Sequence, residues 1–489
     1  MNVAAILGLV FSVSASAIPV NATCARVGET ENEVETRGIY RVSLSEGSNV
    51  PRFIDECRTA GIPITERHVL RIHLQFSDDM LRVYVPPESD SCRAATASRL
   101  QSLNSVVSSE ICWPGRALSA PNDPLWGNQW SLEQSSDCDI NLASARDLTT
   151  GSSAVRIGII DSGMDEDHPD LLSNLSTGRE FVILTPAEID DIEADGYEFL
   201  SDVTQESGDV DDKWGHGTAV GSVAGACTNN GIGMAGVGGS SSLIPLVTGR
   251  RAVKYDSYGL VNASEGTSID PDAVVGSLEW AALRPVNERP HVINMSLRVD
   301  HHTSLQAAVN ACAASGILLI AATGNESDAQ PGDTVEYPAR YPNVLAVGAT
   351  DDDDERAPYS VYGGGYVDVV APGGTEGLRV VAAWTGLADP LHGYDDDFES
   401  GYGSRHGTSM AAPHVAGIAA LVLSANSSLS NTQVREILCR TADKVGGYSY
   451  STTKTYGAWD NQMGYGRVNA YKAVALAKLM GVSSGTVHS

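Results

Sequence analysis

GTSMAAPHVAGIAALVL, residues 407–423, sets one serine, Ser409, between a Gly-Thr pair and a long run of small and apolar residues. Glycine at 407 permits a tight turn, and the run that follows is long enough for a buried helix. Ser409 therefore falls at a helix N-terminus, where unpaired N–H groups and the helix dipole favour developing negative charge. Such a place suits a nucleophile, but a serine hydroxyl alone is inert. An N-cap serine on a core helix would need no partners; a nucleophile needs a base, an orienting acid and an oxyanion donor from elsewhere in the chain.

Outward from this stretch, back to about residue 120, strands alternate with helices. AVRIGIID (154–161), HVINMSL (291–297), GILLIAATGN (316–325) and NVLAVGAT (343–350) are near-continuous apolar runs, as expected of strands buried on both faces. Helical patterns lie at DAVVGSLEWAAL (272–283), SLQAAVNACAASG (304–316) and TQVREILCRTA (432–442), the last preceded by Ser430 and Gln433 in capping-box spacing. The pattern predicts a doubly wound, mostly parallel α/β domain over residues 117–481, followed by a short polar tail at 482–489. Pro245, inside the strand-like SLIPLVTG, is expected at a sheet edge or an irregularity. Parallel sheets place chemistry at the carboxyl ends of their strands. Asp161 and Asn325 end two of these strands, and His216 sits between two glycines in DDKWGHGTAVGSVAGA before a second small-residue helix.

Residues 18–116 follow another rhythm. YRVSL (40–44), VPRFIDECRTAG (50–61), VLRIHLQF (69–76), MLRVYV (80–85) and AATASRLQSLNSVV (94–107) predict β-α-β-β-α, a small independent α+β unit. The Pro-, Gly- and Ser-rich WPGRALSAPNDPLW then predicts a linker. Residues 1–17 carry an apolar stretch and an Ala15-Ser16-Ala17 site, the pattern of a secretory signal peptide, and too short for a membrane span. Secretion makes disulfides plausible among the 8 cysteines, with pairing left open. A formal charge of −29 with 61 acidic against 32 basic residues argues against nucleic acid and anionic membranes as partners. The acidic segment 195–212 lacks an EF-hand pattern, and whether it holds ions is left open. Among the sequons, Asn174 and Asn262 lie in polar surroundings that suit glycosylation.

DSGMDEDHPDL (161–171), GHGTAVGSVAG (215–225), AATGNES (321–327) and GTSMAAPHVAG (407–417) together resemble the signatures of the subtilisin-like serine proteases, in that family's order Asp, His, Ser. The resemblance covers roughly residues 120–480. It implies a secreted endopeptidase acting on polypeptides as a monomer, with Ser409 as nucleophile, His216 as general base, Asp161 as its orienting acid and Asn325 as oxyanion donor. It implies that Ser296, Leu297 and Arg298 form the edge facing the substrate backbone, a segment altered from the family's Ser-Leu-Gly-Gly, and that Ala219 replaces a frequent histidine. His168 and His414 match structural positions of the family. The same likeness makes residues 18–116, of ferredoxin-like type, an inhibitory chaperone propeptide released by self-processing, with Arg116 or Leu118 at the cut. CTNNGIGMAG (227–236) resembles the family's calcium loop, whose ligands would be Asn230, the carbonyls of Cys227, Ile232 and Met234, and the carboxylates of Asp123 and Asp170. Glu336 falls at the floor of the primary specificity pocket and Glu326 at its rim. A carboxylate left unpaired there would favour arginine or lysine before the scissile bond, unless Glu336 points to solvent or pairs with Arg340, which leaves a broad apolar preference.

Overall fold

The computed structural model describes residues 38–44, 54–57, 69–74, 77–85, 106–111, 120–200, 202–204, 208–255, 261–265, 269–326, 334–385 and 401–482. The expected signal peptide lies outside them. Two compact units emerge, one of Leu118–Ala475 and one of Met1–Ala117 with Leu476–Ser489.

In the smaller unit, strands β1 (Gly38–Leu44), β2 (Val69–Leu74), β3 (Ser77–Val85) and β4 (Val106–Ile111) form an antiparallel sheet in the order β2-β3-β1-β4. Residues 54–57 form a helical turn that buries Ile54 and Cys57. One expectation is corrected here. Val106 and Val107, placed at the end of a helix by their apolar spacing, open β4, where VVSSEI pairs with β1. Pairing with a distant strand outweighs the local helical pattern. Residues 94–105 of the expected helix lie outside the described residues.

Among the described residues, the larger unit has a sheet of seven parallel strands: β5 (Arg156–Asp161), β6 (Arg179–Glu180), β7 (Ser242–Val247), β8 (Val292–Met295), β9 (Leu318–Ala322), β10 (Val344–Thr350) and β11 (Val369–Pro372). Their order is β11-β10-β9-β8-β5-β7-β6. All but the first residues of β5 and β7 and of the short edge strand β6 are buried, as the unbroken apolar runs require. Pro245 sits in β7 opposite Ile159 of β5, but the outer strand β6 pairs only from Leu246 onward. Its missing N–H therefore falls where the outer ladder is interrupted. Gly178 passes beside it: a Cβ there would lie 2.3 Å from the Pro245 carbonyl oxygen.

Side chains alternate across a strand. Ile293 and Met295 of β8 share one face with α2 (Pro271–Leu283) and α3 (Thr303–Ala314), whose Val274, Leu278, Leu305 and Val309 complete that core. Helices α1 (His216–Gly225) and α4 (Thr408–Ala425) pack against one another, and small residues bring them close. A Cβ at Gly417 would lie 2.8 Å from the Ala224 carbonyl oxygen, which explains the composition of both stretches. Helix α4 is long and apolar enough to cross a membrane, yet 83% of it is buried within the protein. Helix α5 (Asn431–Thr441) opens with the expected capping box from Ser430 and Gln433. Strand order reverses between β5 and β8, so the crevice between their carboxyl ends is the switch point where a site belongs.

Candidate active site

Asp161 closes β5 at that point and is buried. Its Oδ1 accepts hydrogen bonds from the Ser162 N–H at 2.8 Å and from His216 Nδ1 at 2.7 Å, while its Oδ2 is buried without a partner. His216 opens α1 behind Gly215, whose φ of +97° and contact with the Trp384 ring require glycine. The imidazole stacks on Trp214 with ring centroids 5.1 Å apart. Burial by itself would push the imidazolium down. The charge of Asp161 and its hydrogen bond, helped by Asp212 and opposed by Arg405, outweigh burial, and the His216 pKa lies above its ordinary 6.5.

Asp212, which the sequence reading left inside an acidic run, organises this half of the site. Fully buried, it accepts from the N–H groups of Trp214, Gly215 and Thr218 and from the hydroxyls of Ser162 and Thr218, at 2.7–2.9 Å. Those bonds fix the turn that carries His216 and tie it to the residue after Asp161. A buried carboxylate so fully occupied by donors is an anchor for the loop rather than a spare ligand. Arg250, buried beside Glu180 at 2.5 Å, holds the preceding loop by donating to the carbonyls of Asp211 (3.1 Å) and Asp209 (2.6 Å). The one signal for Asp212 in the sequence was its place four residues before His216.

Ser409 lies in the first turn of α4, half-buried, behind Gly407 at φ +141°. The Asn325 Oδ1 accepts both the N–H and the hydroxyl of Thr408 at 2.9 Å, so the Asn325 amide is fixed beside the serine turn with its Nδ2 left to donate. A Cβ on Gly407 would lie 3.4 Å from that Nδ2, an ordinary contact, so it is the positive φ that calls for glycine there. The Ser409 hydroxyl donates to the Ser296 carbonyl at 3.4 Å and makes no hydrogen bond to His216 in this structure. A bond that long is weak, and nucleophile–base contacts commonly tighten only around substrate.

Of the residues expected to face substrate, Ser296 and Leu297 are buried at the end of β8, Glu326 is exposed, and Arg298 is 71% exposed. Glu336 packs over Gly324, where a Cβ would meet its Cγ at 2.5 Å. The expectation that Glu336 lacks a cation is corrected: Arg298 Nη1 donates to its Oε1 at 3.2 Å. Arg340 does not take that place, because its guanidinium stacks over Tyr337 and Tyr366.

With this geometry, a family model for subtilases matches residues 152–466. The chain belongs to the subtilase family. Thermitase of Thermoactinomyces vulgaris is 35% identical over 355 residues, covering 72% of this chain and 99% of thermitase. Subtilisin BL of Lederbergia lenta is 35% identical over 317 residues, 65% of this chain and 91% of that one. Among solved structures, a protease from Pseudoalteromonas arctica PAMC 21717 superposes with a TM-score of 0.56 at 27% identity, covering 73% of this chain and all of that one. This subtilase is a serine endopeptidase.

The six residues that the family likeness assigns to calcium gather around one loop of this subtilase. Asn230 Nδ2 donates to Asp170 Oδ1 at 2.8 Å, and the N–H groups of Asn229 and Asn230 reach Asp123 at 2.8 and 3.2 Å. Asp170 also accepts from the Met234 N–H and the Tyr402 hydroxyl. Burial pushes both carboxyls up, and the hydrogen bonds only partly offset it. Two buried carboxylates are joined here through the nitrogens of one asparagine, whose Oδ1 accepts the Ile232 N–H at 2.9 Å. Carboxylate, amide and carbonyl oxygens are the ligand types that calcium takes, so by chemical type these residues suit the ion.

Other expectations resolve locally. His414 has both ring nitrogens engaged, with the Met410 carbonyl at 2.7 Å and the Ser131 hydroxyl at 3.0 Å, and burial holds it down to about 4. His168 contacts the Gly401 carbonyl at 2.9 Å. Asn174 is corrected as a glycan site: its Nδ2 donates to the carbonyls of Gly225 (2.9 Å) and Gly239 (2.7 Å), bonds a sugar would break. The side chain of Asn262 lies outside the described residues. Among the described cysteines, Cys57, Cys138, Cys227, Cys312 and Cys439 are free thiols.

Proposed function

We propose that this subtilase cleaves polypeptides with Ser409 as nucleophile. His216 takes the hydroxyl proton as Ser409 Oγ bonds to the scissile carbonyl carbon, and Asp161 stabilises the imidazolium that forms. The oxyanion accepts from the Ser409 N–H and Asn325 Nδ2. His216 then returns the proton to the departing amine, and water, activated by the same imidazole, hydrolyses the acyl-enzyme. The observation that carries this reading is the 2.7 Å bond of a buried Asp161 to His216 at the switch point of the sheet. The family's motif positions support the other roles.

Residues 18–116 act as a self-removed chaperone and inhibitor, a reading supported by the ferredoxin-like strand order β2-β3-β1-β4. A fold built on distant parallel pairings forms slowly without such help. The enzyme is secreted, is cut after Arg116 or Leu118, and holds structural calcium through Asp123, Asp170, Asn230 and the carbonyls of Cys227, Ile232 and Met234. Glu336 and Glu326 favour a basic residue before the scissile bond. An incoming cation must displace Arg298, and an exposed ion pair resists that by only about 1 kcal/mol or less. The Arg298–Glu336 pair also favours a second reading, in which the pocket stays neutralised and prefers apolar side chains.

A fluorophosphonate probe applied to wild type and Ser409→Ala, with a peptide-library digest alongside, tests the assignment. Labelling of wild type alone, with peptide cleavage, is expected. Labelling that survives the substitution would overturn it. Profiling Arg298→Gln on the same library separates the two specificities, because freeing Glu336 must raise cleavage after Arg and Lys if that carboxylate reads the substrate.

A further inference from the structure

Helix α4 has a fault in its hydrogen-bond ladder at a telling place. In an α-helix the carbonyl of residue 409 accepts the N–H of residue 413. Here residue 413 is proline, inside the helix and buried. Proline has no N–H, and its ring crowds the carbonyl four residues back. The ladder thus withholds a donor from the carbonyl of Ser409, in a half-buried first turn where an unmade bond carries a cost.

Ser296 supplies what the helix lacks. Its hydroxyl donates to the Ser409 carbonyl at 2.8 Å, and its own carbonyl accepts from the Ser409 hydroxyl at 3.4 Å. Asn294, two residues earlier in the chain and fully buried, donates from Nδ2 to the Ser296 hydroxyl at 3.0 Å. The direction of this relay follows from proton counting. The single hydroxyl proton of Ser296 goes to the Ser409 carbonyl, so its oxygen can only accept from Asn294, whose amide must present nitrogen. The Asn294 Oδ1, correspondingly, is buried with no partner.

We propose that Ser296, aligned by Asn294, is a positioning residue for Ser409: it replaces the hydrogen bond that Pro413 removes and fixes the peptide that follows the nucleophile. Freed from the helix ladder, that peptide is tied instead to the end of β8, the segment expected to lie along the substrate. The torsion of Ser409, and with it the aim of its N–H and Oγ, is then set by the substrate-binding edge. This inference rests on the assignment of Ser409 as nucleophile.

The test uses the full chain with Ser296→Ala, Pro413→Ala and the double substitution, each checked for folding by thermal unfolding. Losing one part-buried hydrogen bond to the nucleophile's peptide should lower kcat about tenfold with KM within about twofold. Pro413→Ala restores an N–H at position 413, so the double variant should recover at least half of that loss on a logarithmic scale. A folded Ser296→Ala enzyme with kcat within about twofold of wild type would overturn the proposal. So would a double variant no faster than Ser296→Ala, since a merely structural role gives no reason for rescue by the proline. If Ser296→Ala does not fold, Ser296→Cys, with its weaker donor, takes its place. Its effect must shrink when Pro413→Ala is present, and an undiminished effect rejects the idea. Activity retained by Ser409→Ala would instead bring down the nucleophile assignment itself.

Discussion

The turn that carries His216 is held mostly from within its own loop, where Asp212, four residues earlier, gathers donors from residues 214–218, with the Ser162 hydroxyl added from outside it. Ser409 is held from far away in the chain: Asn325 reaches Thr408 across 83 positions, and Ser296 reaches Ser409 across 113. The first half is an ionic knot, a buried carboxylate with five donors. The second is a set of neutral hydrogen bonds between strand ends and a helix turn, each of moderate strength. The difference teaches that the loop carrying His216, the proposed base, is fixed largely by local hydrogen bonds although its imidazole meets Asp161 across 55 positions, whereas Ser409 and Asn325, the proposed nucleophile and oxyanion donor, come into register only when the sheet is complete.

The sharpest break of this comparison removes the chemistry itself. Ser409→Ala or His216→Ala should each lower kcat by about 10⁶-fold, the magnitude measured for triad removal in subtilisin, with little change in unfolding temperature. Near-equal losses, with no further loss in the double variant, mark one catalytic unit; clearly additive losses would contradict it. Next, Asn325→Ala should cost about 10²–10³ in kcat with KM nearly unchanged, a size also known from subtilisin. Single-turnover kinetics would check that the loss lies in the chemical step.

Asp212→Asn probes the ionic knot. An amide presents N–H groups to donors that now meet a carboxylate, so stability should fall by about 3 kcal/mol. Thr408→Val, on the serine side, should cost only about 1 kcal/mol, because Asn325 keeps the backbone N–H of residue 408. Denaturant titration of both variants tests the contrast, and equal losses would erase it. Calcium gives a further handle on the imidazole half, since the candidate loop at 227–236 directly follows α1. Exhaustive chelation should lower the unfolding midpoint by the equivalent of about 2–4 kcal/mol, and Asp170→Asn should abolish that response. An unchanged midpoint would remove the ion from the account.

The smallest effect is in pH. His216 must be neutral to accept a proton, and its pKa lies above 6.5 through the Asp161 charge and hydrogen bond acting against burial. kcat/KM should therefore fall as pH drops through a midpoint above 6.5. The stability that the charged pair contributes runs the opposite way: it is full below the unfolded value and is lost as pH rises through the folded one. Arg405 opposes protonation, so Arg405→Gln should move the acid limb to higher pH by a fraction of a unit. A shift to lower pH would reject this electrostatic reading.

The same division governs what could be read in advance. The parallel strands were legible because burial on both faces leaves an unbroken apolar run, and the α5 capping box because its two partners are three residues apart. Asp161, His216, Asn325 and Ser409 were marked only weakly by strand ends and glycine-flanked turns, and stood out as candidates through the motifs that resemble the family's. Strand β4 was not: VVSSEI carries no decisive local period, and its partner β1 lies more than sixty residues earlier. Neither was the pairing of Glu336, for which Arg340 is the nearer cation along the chain and Arg298 the one that meets it.

By itself, then, the sequence determined the doubly wound domain through its apolar runs and the family through four ordered motifs, and it named candidate catalytic side chains by that resemblance, because apolar patterning and motifs are properties of short stretches. Tertiary structure alone decided that Asp212 anchors the base loop, that Arg298 neutralises Glu336, and that Ser296 answers the donor missing at Pro413. Those outcomes depend on which hydrogen-bonding groups are buried together once distant strands pair. Burial makes each unmet donor or acceptor expensive, and only the assembled sheet determines which groups are left to meet.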